Sequence, residues 1–422
     1  MKLVIAEKPS VAMALASVLG ARTRKDGYVE GNGYIVSWCV GHLVGLCDAS
    51  EYDEKYKKWR YEDLPIVPEC WRHKILEGTK KQFGILKKLM RDSKVDEVIC
   101  ATDAGREGEL IFRLVYEQAG CKKPMKRLWI SSMEEQAIKD GFASLKDGSC
   151  YDSLYQSALC RAKADWLVGI NASRLFSVLY NQNLKVGRVQ TPTLAMIVDR
   201  NQKIKEFTKE KYYMAHIKFD DMDAVTEHFQ KKEDADKVAA DCAERMCEVE
   251  KDDVKEKTVR PPKLYDLTTL QREANRMFGY TAQQTLDAVQ EMYEQKLVTY
   301  PRTDSQYLTD EMGENTETLI QMLLGKMPYA EGLEYQPDVS KVLNSKKVSD
   351  HHAIIPTMEV AKADIGELKE RNCKILYLIS ARVLTATADP YIYESHKCQI
   401  TCNYHTFYLN AKKTKQEGFK TI

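Results

Sequence analysis

No stretch of eighteen apolar residues occurs in the 422-residue sequence, which excludes an ordinary membrane-spanning helix. The opening MKLVIAEKPS lacks the basic-then-apolar layout of a secretory signal. The twelve cysteines form no CxxC pair, so neither a disulfide framework nor a common zinc ribbon is indicated, and reduced thiols in a cytosolic chain are expected. There is no internal repeat and no low-complexity segment. Net charge is almost absent, with 63 basic against 62 acidic residues, which excludes a uniformly basic coat for nucleic acid. A hydrophobic content of 44% and a charged content of 30% are those of a globular chain and exclude a disordered or fibrous one. At roughly 100 to 200 residues per domain, the length predicts two to four compact units.

What charge there is lies segregated. Residues 151–215 carry 10 Lys/Arg and 5 Asp/Glu, whereas residues 216–259 carry 8 and 14. One basic face suits a polyanion, although solvated charged surfaces alone produce the same contrast. Leu3 to Ala6 reads as a strand followed by a helix through Leu19, and Val95 to Ala101 as a strand followed by the loop Thr102 to Gly108 and a helix over Leu110 to Gln118. Such α/β units gather ligands where strands end and helices begin. A helical pattern runs from Tyr151 to Glu206. Strand-like alternation follows over Tyr212 to Phe219 and Ser395 to Ala411, with a helix near Asp234 to Arg245 between them. The block from about Pro261 to Asp389, bounded by Pro261, Pro262 and Pro390, reads as a mostly helical insertion.

Four constellations carry chemistry. Glu7 after the first strand, with Asp103, Glu107 and Glu109 around the second loop, offers the oxygen ligands that suit Mg²⁺. Taken alone, DAGREGE is equally an acidic helix start favoured by the helix dipole. Tyr300 in LVTYPRTDS has Arg302 two residues away, a cation that could stabilise a phenolate or a pentacoordinate phosphate, or it is simply packed beside a proline turn. His351 in SDHHAIIPT could donate to a phosphate, bind metal or cap a strand. Arg161, Lys163, Trp166, Arg174, Lys185, Arg188 and Gln190, with Trp59 as a further ring, have the mixture of cations, amides and aromatics that a single-strand groove needs. Either tryptophan could instead belong to the core. Arg161 and Asp165 stand at helix-pair spacing. A zinc set of His396, Cys398, Cys402 and His405 is rejected: the spacing fits no common finger, and in one strand His405 would face away from the other three.

These blocks, taken in order, resemble the type IA DNA topoisomerases, specifically the topoisomerase III branch. The resemblance rests on IAEKPSVA at Ile5, ATDAGREGELI at Ala101, RLWISS at Arg127, ADWLVGINASR at Ala164, VGRVQTPTLA at Val186, LYDLTTLQ at Leu264, LVTYPRTDS at Leu297 and HHAIIPT at His351. It implies a multidomain chain of α/β, mainly α and β parts. These are an α/β Toprim domain (1–150), a helical DNA-binding gate region (151–211), a β arch (212–260 and 390–422) and an inserted, mostly helical domain (261–389) bearing the tyrosine. It further implies that Tyr300 attacks one DNA strand and keeps the 5′-phosphate as an ester, so that rejoining needs no ATP. Glu7 would serve in acid/base work near Mg²⁺, with Lys8 on the scissile phosphate. Asp103 and Glu107 would hold the metal, with Arg302 and His351 on the phosphate. Trp59, Arg161, Trp166, Arg174, Arg302 and the run Lys185, Val186, Gly187, Arg188, Val189, Gln190 would bind single-stranded DNA.

The implied partner is single-stranded or negatively supercoiled DNA, with no membrane, a monomeric state and a cytoplasmic, nucleoid-associated location. Gly105 stands where many relatives have a second aspartate, which predicts weak, single-site Mg²⁺ binding. The chain is also expected to lack the family's later gate segment, leaving apolar faces such as TPTLAMIV short of burial. Two other readings share parts of the pattern: another Toprim enzyme, a primase or nuclease, and a non-catalytic DNA-binding remnant.

Overall fold

The computed structural model describes residues 1–422 except 132, 221, 334, 335, 349 and 350. Its first strand, Lys2–Ala6, contains Leu3, Val4, Ile5 and Ala6, all without solvent exposure. The strand lies between two parallel neighbours, Tyr34–Trp38 and Glu97–Ala101. A continuous apolar run is what a parallel strand covered on both faces requires. It sits at the centre of a seven-stranded sheet in the order Thr23–Lys25, Tyr28–Gly31, Tyr34–Trp38, Lys2–Ala6, Glu97–Ala101, Met125–Arg127, Lys146–Asp147. Ala6 pairs with Ala101, so Glu7 and the Thr102 loop leave the sheet side by side at its carboxyl edge.

The helix after the second of these strands runs Arg106–Ala119, four residues earlier than the apolar pattern indicates. Gly105 is its N-cap and Glu107 and Glu109 occupy the first turn, where carboxylates are favoured by the helix dipole. The acidic loop is therefore shortened to 102–105. Gly108 is needed there: a Cβ would lie 2.1 Å from the Asp103 carbonyl oxygen, and its own carbonyl accepts from Thr102 Oγ1 at 2.8 Å.

Two helices, Asp152–Tyr180 and Gln190–Lys205, follow. The second buries none of its residues, and Leu194, Met196 and Ile197 are each at least 60% exposed. A five-stranded sheet comes next, in the order His216–Phe219, Met222–Val225, His405–Gln416, Tyr391–Cys402, Cys247–Val259. The nearby helix is Lys232–Cys242. The strand Cys247–Val259 is not legible as alternation because nearly every residue in it is exposed. Its Glu, Asp and Lys side chains guard an open sheet edge. Asn403 and Tyr404, both at positive φ, turn the chain between the last two strands. His405 consequently faces Cys402 across the hairpin, and the expectation of one strand holding His396 through His405 is corrected.

The helices Leu267–Phe278, Ala282–Glu294, Gly313–Lys326 and Glu370–Thr387 enclose Leu270, Val289, Leu319, Ile320 and Ile379. Thr281 and Gln284 form a capping box at the start of the second. This core is continuous with Leu15, Leu128 and Met133 of the first sheet's helix layer. Among the described residues no helix is long and apolar enough to cross a membrane.

The contact at Gly108 yields a test. Gly108→Ala forces backbone against backbone, so thermal or denaturant unfolding should show a loss of about 1–3 kcal/mol; an unchanged midpoint would mean that the helix and the acidic loop are not pressed together.

Candidate active site

Arg127, at the end of its strand, has no solvent exposure on its side chain. Nη1 donates to the carbonyls of Cys100 (3.2 Å) and Thr102 (2.8 Å), and Nη2 to that of Asp103 (2.7 Å). Its Nε lies 3.1 Å from Glu109 Oε2, while Glu109 Oε1 accepts from Arg113 Nε at 2.8 Å. A buried charge with this many partners is compensated, and it fixes the loop that carries Asp103. Glu109, offered with the acidic set, is a structural anion and not a ligand.

Asp103 and Glu7 then converge. The Asp103 N–H donates to Glu7 Oε2 at 3.2 Å, and the Tyr300 hydroxyl donates to Asp103 Oδ2 at 2.8 Å. Burial and the Asp103 charge push the Glu7 carboxyl up to about 7. Burial raises Asp103 too, against the Tyr300 hydrogen bond and the cations Lys8, Arg127 and Arg302. Burial and the two carboxylates hold the Tyr300 phenol far above its ordinary value. Arg302 is exposed beside this pair, and Lys8 Nζ is 3.7 Å from Glu294 Oε1. His351 packs against Tyr300 with ring centroids 4.3 Å apart and planes tilted by 36°, and its Nδ1 lies 3.1 Å from Ser131 Oγ. Burial, then the neighbouring His352, pushes the His351 imidazole down to about 4. Ser349 and Asp350 of the same motif lie outside the described residues.

The void among Asp103, Tyr293, Tyr300 and His351 has a volume of about 10 Å³, enough for one water. Tyr300 N donates to Ser131 O at 3.3 Å, and Met358 N to Glu134 Oε1 at 3.2 Å. The tyrosine-bearing block is thus closed onto the sheet domain, and a molecule larger than water reaches Tyr300 only if the two part.

Glu107 does not join the other two carboxylates. It is held by His42, whose Nε2 is 2.7 Å from Glu107 Oε1, a contact that also lowers the carboxyl's pKa; Arg161 Nη2 is 4.0 Å away. Among the described residues no three His, Cys, Asp or Glu side chains are gathered for a metal, so Glu107 stands apart from Glu7 and Asp103 in this structure. Glu7 and Asp103 remain a fit for a hard cation: two coupled carboxylates whose ionisation is penalised by burial would gain from one.

Of the proposed strand-binding residues, Trp59 is 45% exposed, with the Arg174 guanidinium 5.4 Å from its ring centroid. Arg174 is itself buried, and its Nε and Nη1 have no hydrogen-bond partner among the described residues. Trp166 is engaged within the protein: Nε1 donates to Cys47 O at 2.9 Å, and the ring packs edge-on against Trp71 and Tyr52. Arg188, not Arg161, is the close partner of Asp165, at 2.6 Å. Lys185 is exposed, Val186 N takes a hydrogen bond to Ser173 Oγ, Gly187 N one to Thr191 Oγ1, and Val189 and Gln190 open the Gln190–Lys205 helix. The sequence reading missed Arg127, His42, Ser131 and Glu294 as site residues. RLWISS does contain two of them, but only the fold brings their side chains to the acidic loop.

Two family models match the chain: a DNA topoisomerase model over residues 149–422 and a Toprim domain model over residues 2–133. A Toprim domain is in general a metal-binding domain. The DNA topoisomerase 3 of Staphylococcus haemolyticus is 40% identical over 429 residues, covering 100% of this chain and 60% of that protein. That of Bacillus cereus is 42% identical over 440 residues, covering 99% and 59%. The chain thus spans about 60% of the length of the curated relatives it matches. The solved structure of full-length topoisomerase I from Thermotoga maritima shares the fold, with a TM-score of 0.73 at 24% identity, covering 100% of this chain and 67% of that one.

The buried imidazole makes stability depend on acidity. A histidine ionising near 6.5 when unfolded and about 4 when folded leaves stability intact above 6.5 and removes it as pH falls from there toward 4, by roughly 3 kcal/mol at most. Chemical denaturation at stepped pH should show His351→Gln losing less stability than the unaltered chain over that window; parallel curves would mean that the imidazole is not held neutral.

Proposed function

Since this chain belongs to the type IA DNA topoisomerases, we propose that it acts as a topoisomerase III-type enzyme that cuts one DNA strand, passes another and reseals the break without ATP. The observation that carries this reading is Tyr300, a phenol hydrogen-bonded to a buried carboxylate beside a second carboxylate and two cations. The parts of the work fall to the four regions 1–150, 151–211, 212–260 with 390–422, and 261–389.

In the reaction the phenol oxygen attacks phosphorus and the bond from phosphorus to the 3′-oxygen breaks. Asp103 Oδ2 is placed to take the phenol proton. Glu7, ionising at about 7, still holds a proton in much of the population at neutral pH and is suited to give it to the departing 3′-oxygen. Arg302 and Lys8 bind the phosphate and stabilise the negative charge that grows on it. Lys8 must first leave Glu294. His351, neutral, orients the phenol ring. A Mg²⁺ ion held by Glu7 and Asp103, with Glu107 once it leaves His42, would supply positive charge beside the phosphate. The 3′-hydroxyl then attacks the tyrosyl ester and restores both bonds. Single-stranded or underwound DNA is the proposed partner, in a monomer on the cytoplasmic nucleoid, held by Trp59, Arg174 and the 185–190 run.

Denaturing gels of the chain with end-labelled single-stranded DNA test the reading. Covalent protein should carry label placed 3′ to the break, and Tyr300→Phe should abolish the adduct while costing about 1–2 kcal/mol of stability, because Asp103 loses its donor. Adduct formation undiminished in Tyr300→Phe would overturn it.

Gly105 sits extended at the helix N-cap, with φ and ψ both 173°, a conformation open to aspartate. Gly105→Asp should lower the Mg²⁺ concentration needed for rejoining and, as a capping residue, add roughly a few tenths of a kcal/mol of stability. A stabilised variant with an unchanged Mg²⁺ requirement would show that position 105 does not face the metal.

A further inference from the structure

Tyr307 lies five residues beyond Arg302, outside the site described. Its ring has Lys347 Nζ 4.8 Å and Lys263 Nζ 5.3 Å from the centroid, and Lys347 Nζ is 3.5 Å from the phenol oxygen. Three separate segments build this group. Lys263 comes from the link that leaves the Cys247–Val259 strand, just before Tyr265, whose carbonyl accepts from Ile354 N at 2.8 Å. Lys347 comes from the turn ahead of His351, and its carbonyl accepts from Ser305 Oγ at 3.0 Å. The Tyr307 carbonyl accepts from Ala353 N at 2.9 Å. The cluster therefore stands on the same pair of segments that hold Arg302 and His351.

Among the described residues, the contacts of the two lysine ammonium groups are with Tyr307 and include no ion pair to a carboxylate; Asp350, three residues beyond Lys347, lies outside the described residues. Both lysines are exposed, as is the adjacent Lys346. Like charges gathered this closely repel, and a phenol set between them offers a neutral O–H donor where a carboxylate would neutralise them. We propose that Lys263, Tyr307 and Lys347 form a second phosphate cradle, which binds a backbone phosphate of the DNA strand away from the bond that is cut. This rests on the proposed DNA activity. Five residues of chain span at most about 17 Å, so the cradle is within reach of the strand that Arg302 engages. The phenol is tuned accordingly: burial raises its pKa, but hydrogen bonding and charge from Lys263 and Lys347 outweigh this and bring it below the usual value.

The test uses the Tyr300→Phe chain, which does not cut, and compares it with the same chain carrying Lys263→Gln and Lys347→Gln. On a long single strand the slope of log affinity against log salt should become shallower by about 0.7 to 1.4, the release of one or two counterions. On an oligonucleotide too short to extend past Arg302, the two should bind alike. A second readout does not need DNA activity. The Tyr307 phenolate, isolated as the absorbance difference from Tyr307→Phe, should titrate at higher pH when oligonucleotide occupies the cradle, and inorganic phosphate should produce a smaller shift of the same sign. Equal salt slopes on the long strand, or a Tyr307 titration that neither anion moves, would overturn the cradle. A response to inorganic phosphate alone would overturn the nucleic-acid source. Failure of every variant to bind DNA would count against the DNA activity itself, while the phosphate titration still decides whether the cradle exists.

Discussion

Everything at the candidate active site hangs on one buried guanidinium. Arg127 gathers the carbonyls of Cys100, Thr102 and Asp103 and is neutralised by Glu109. Three backbone acceptors held by one rigid fork leave the loop little freedom. Asp103 is thereby pressed toward Glu7; burial lifts both ionisations, and at Glu7 the Asp103 charge adds to the rise. Tyr300 completes the group by offering a proton to the pair. The strain of like charges is thus located where an incoming cation or a migrating proton would relieve it.

Closure follows from the same contacts. The bond between Tyr300 and Asp103 joins residues 197 apart in sequence, and the seam around it is apolar, with Leu15, Leu128 and Met133 against Tyr293 and Tyr300. A closed seam protects the phenol but leaves room for only about one water. Opening must therefore break a few hydrogen bonds and expose a modest apolar surface, and Lys8 released from Glu294 becomes available in that state. On the proposed activity, access to Tyr300 would be set by the balance between these closing contacts and DNA binding.

Much of this could be read from the sequence, for identifiable reasons. Glu7 and the Asp103 loop were legible because a wholly apolar strand marks a doubly covered sheet position, and polar residues at its end mark a ligand edge. Tyr300, Arg302 and His351 were legible through motif order. The pairing of Glu107 with His42, 65 residues away, had no sequence signal. The anchoring of Trp166 was not legible because its N–H partner is a carbonyl 119 residues distant. The Cys247–Val259 strand escaped notice because an exposed edge strand carries no burial pattern, and the Arg106 helix start because its first turn is acidic and polar. Local periodicity reports burial, whereas side-chain pairing across the fold has no local signature.

The claim on which the rest turns is that Tyr300, and not another of the 23 tyrosines, becomes joined to the 5′-phosphate side of a cut strand. Mass spectrometry of peptides from the trapped and nuclease-trimmed adduct measures this directly. A nucleotide mass on the peptide containing Tyr300, linked through the 5′-phosphate, is the predicted result; the mass on any other peptide, or linkage through a 3′-phosphate, would contradict it.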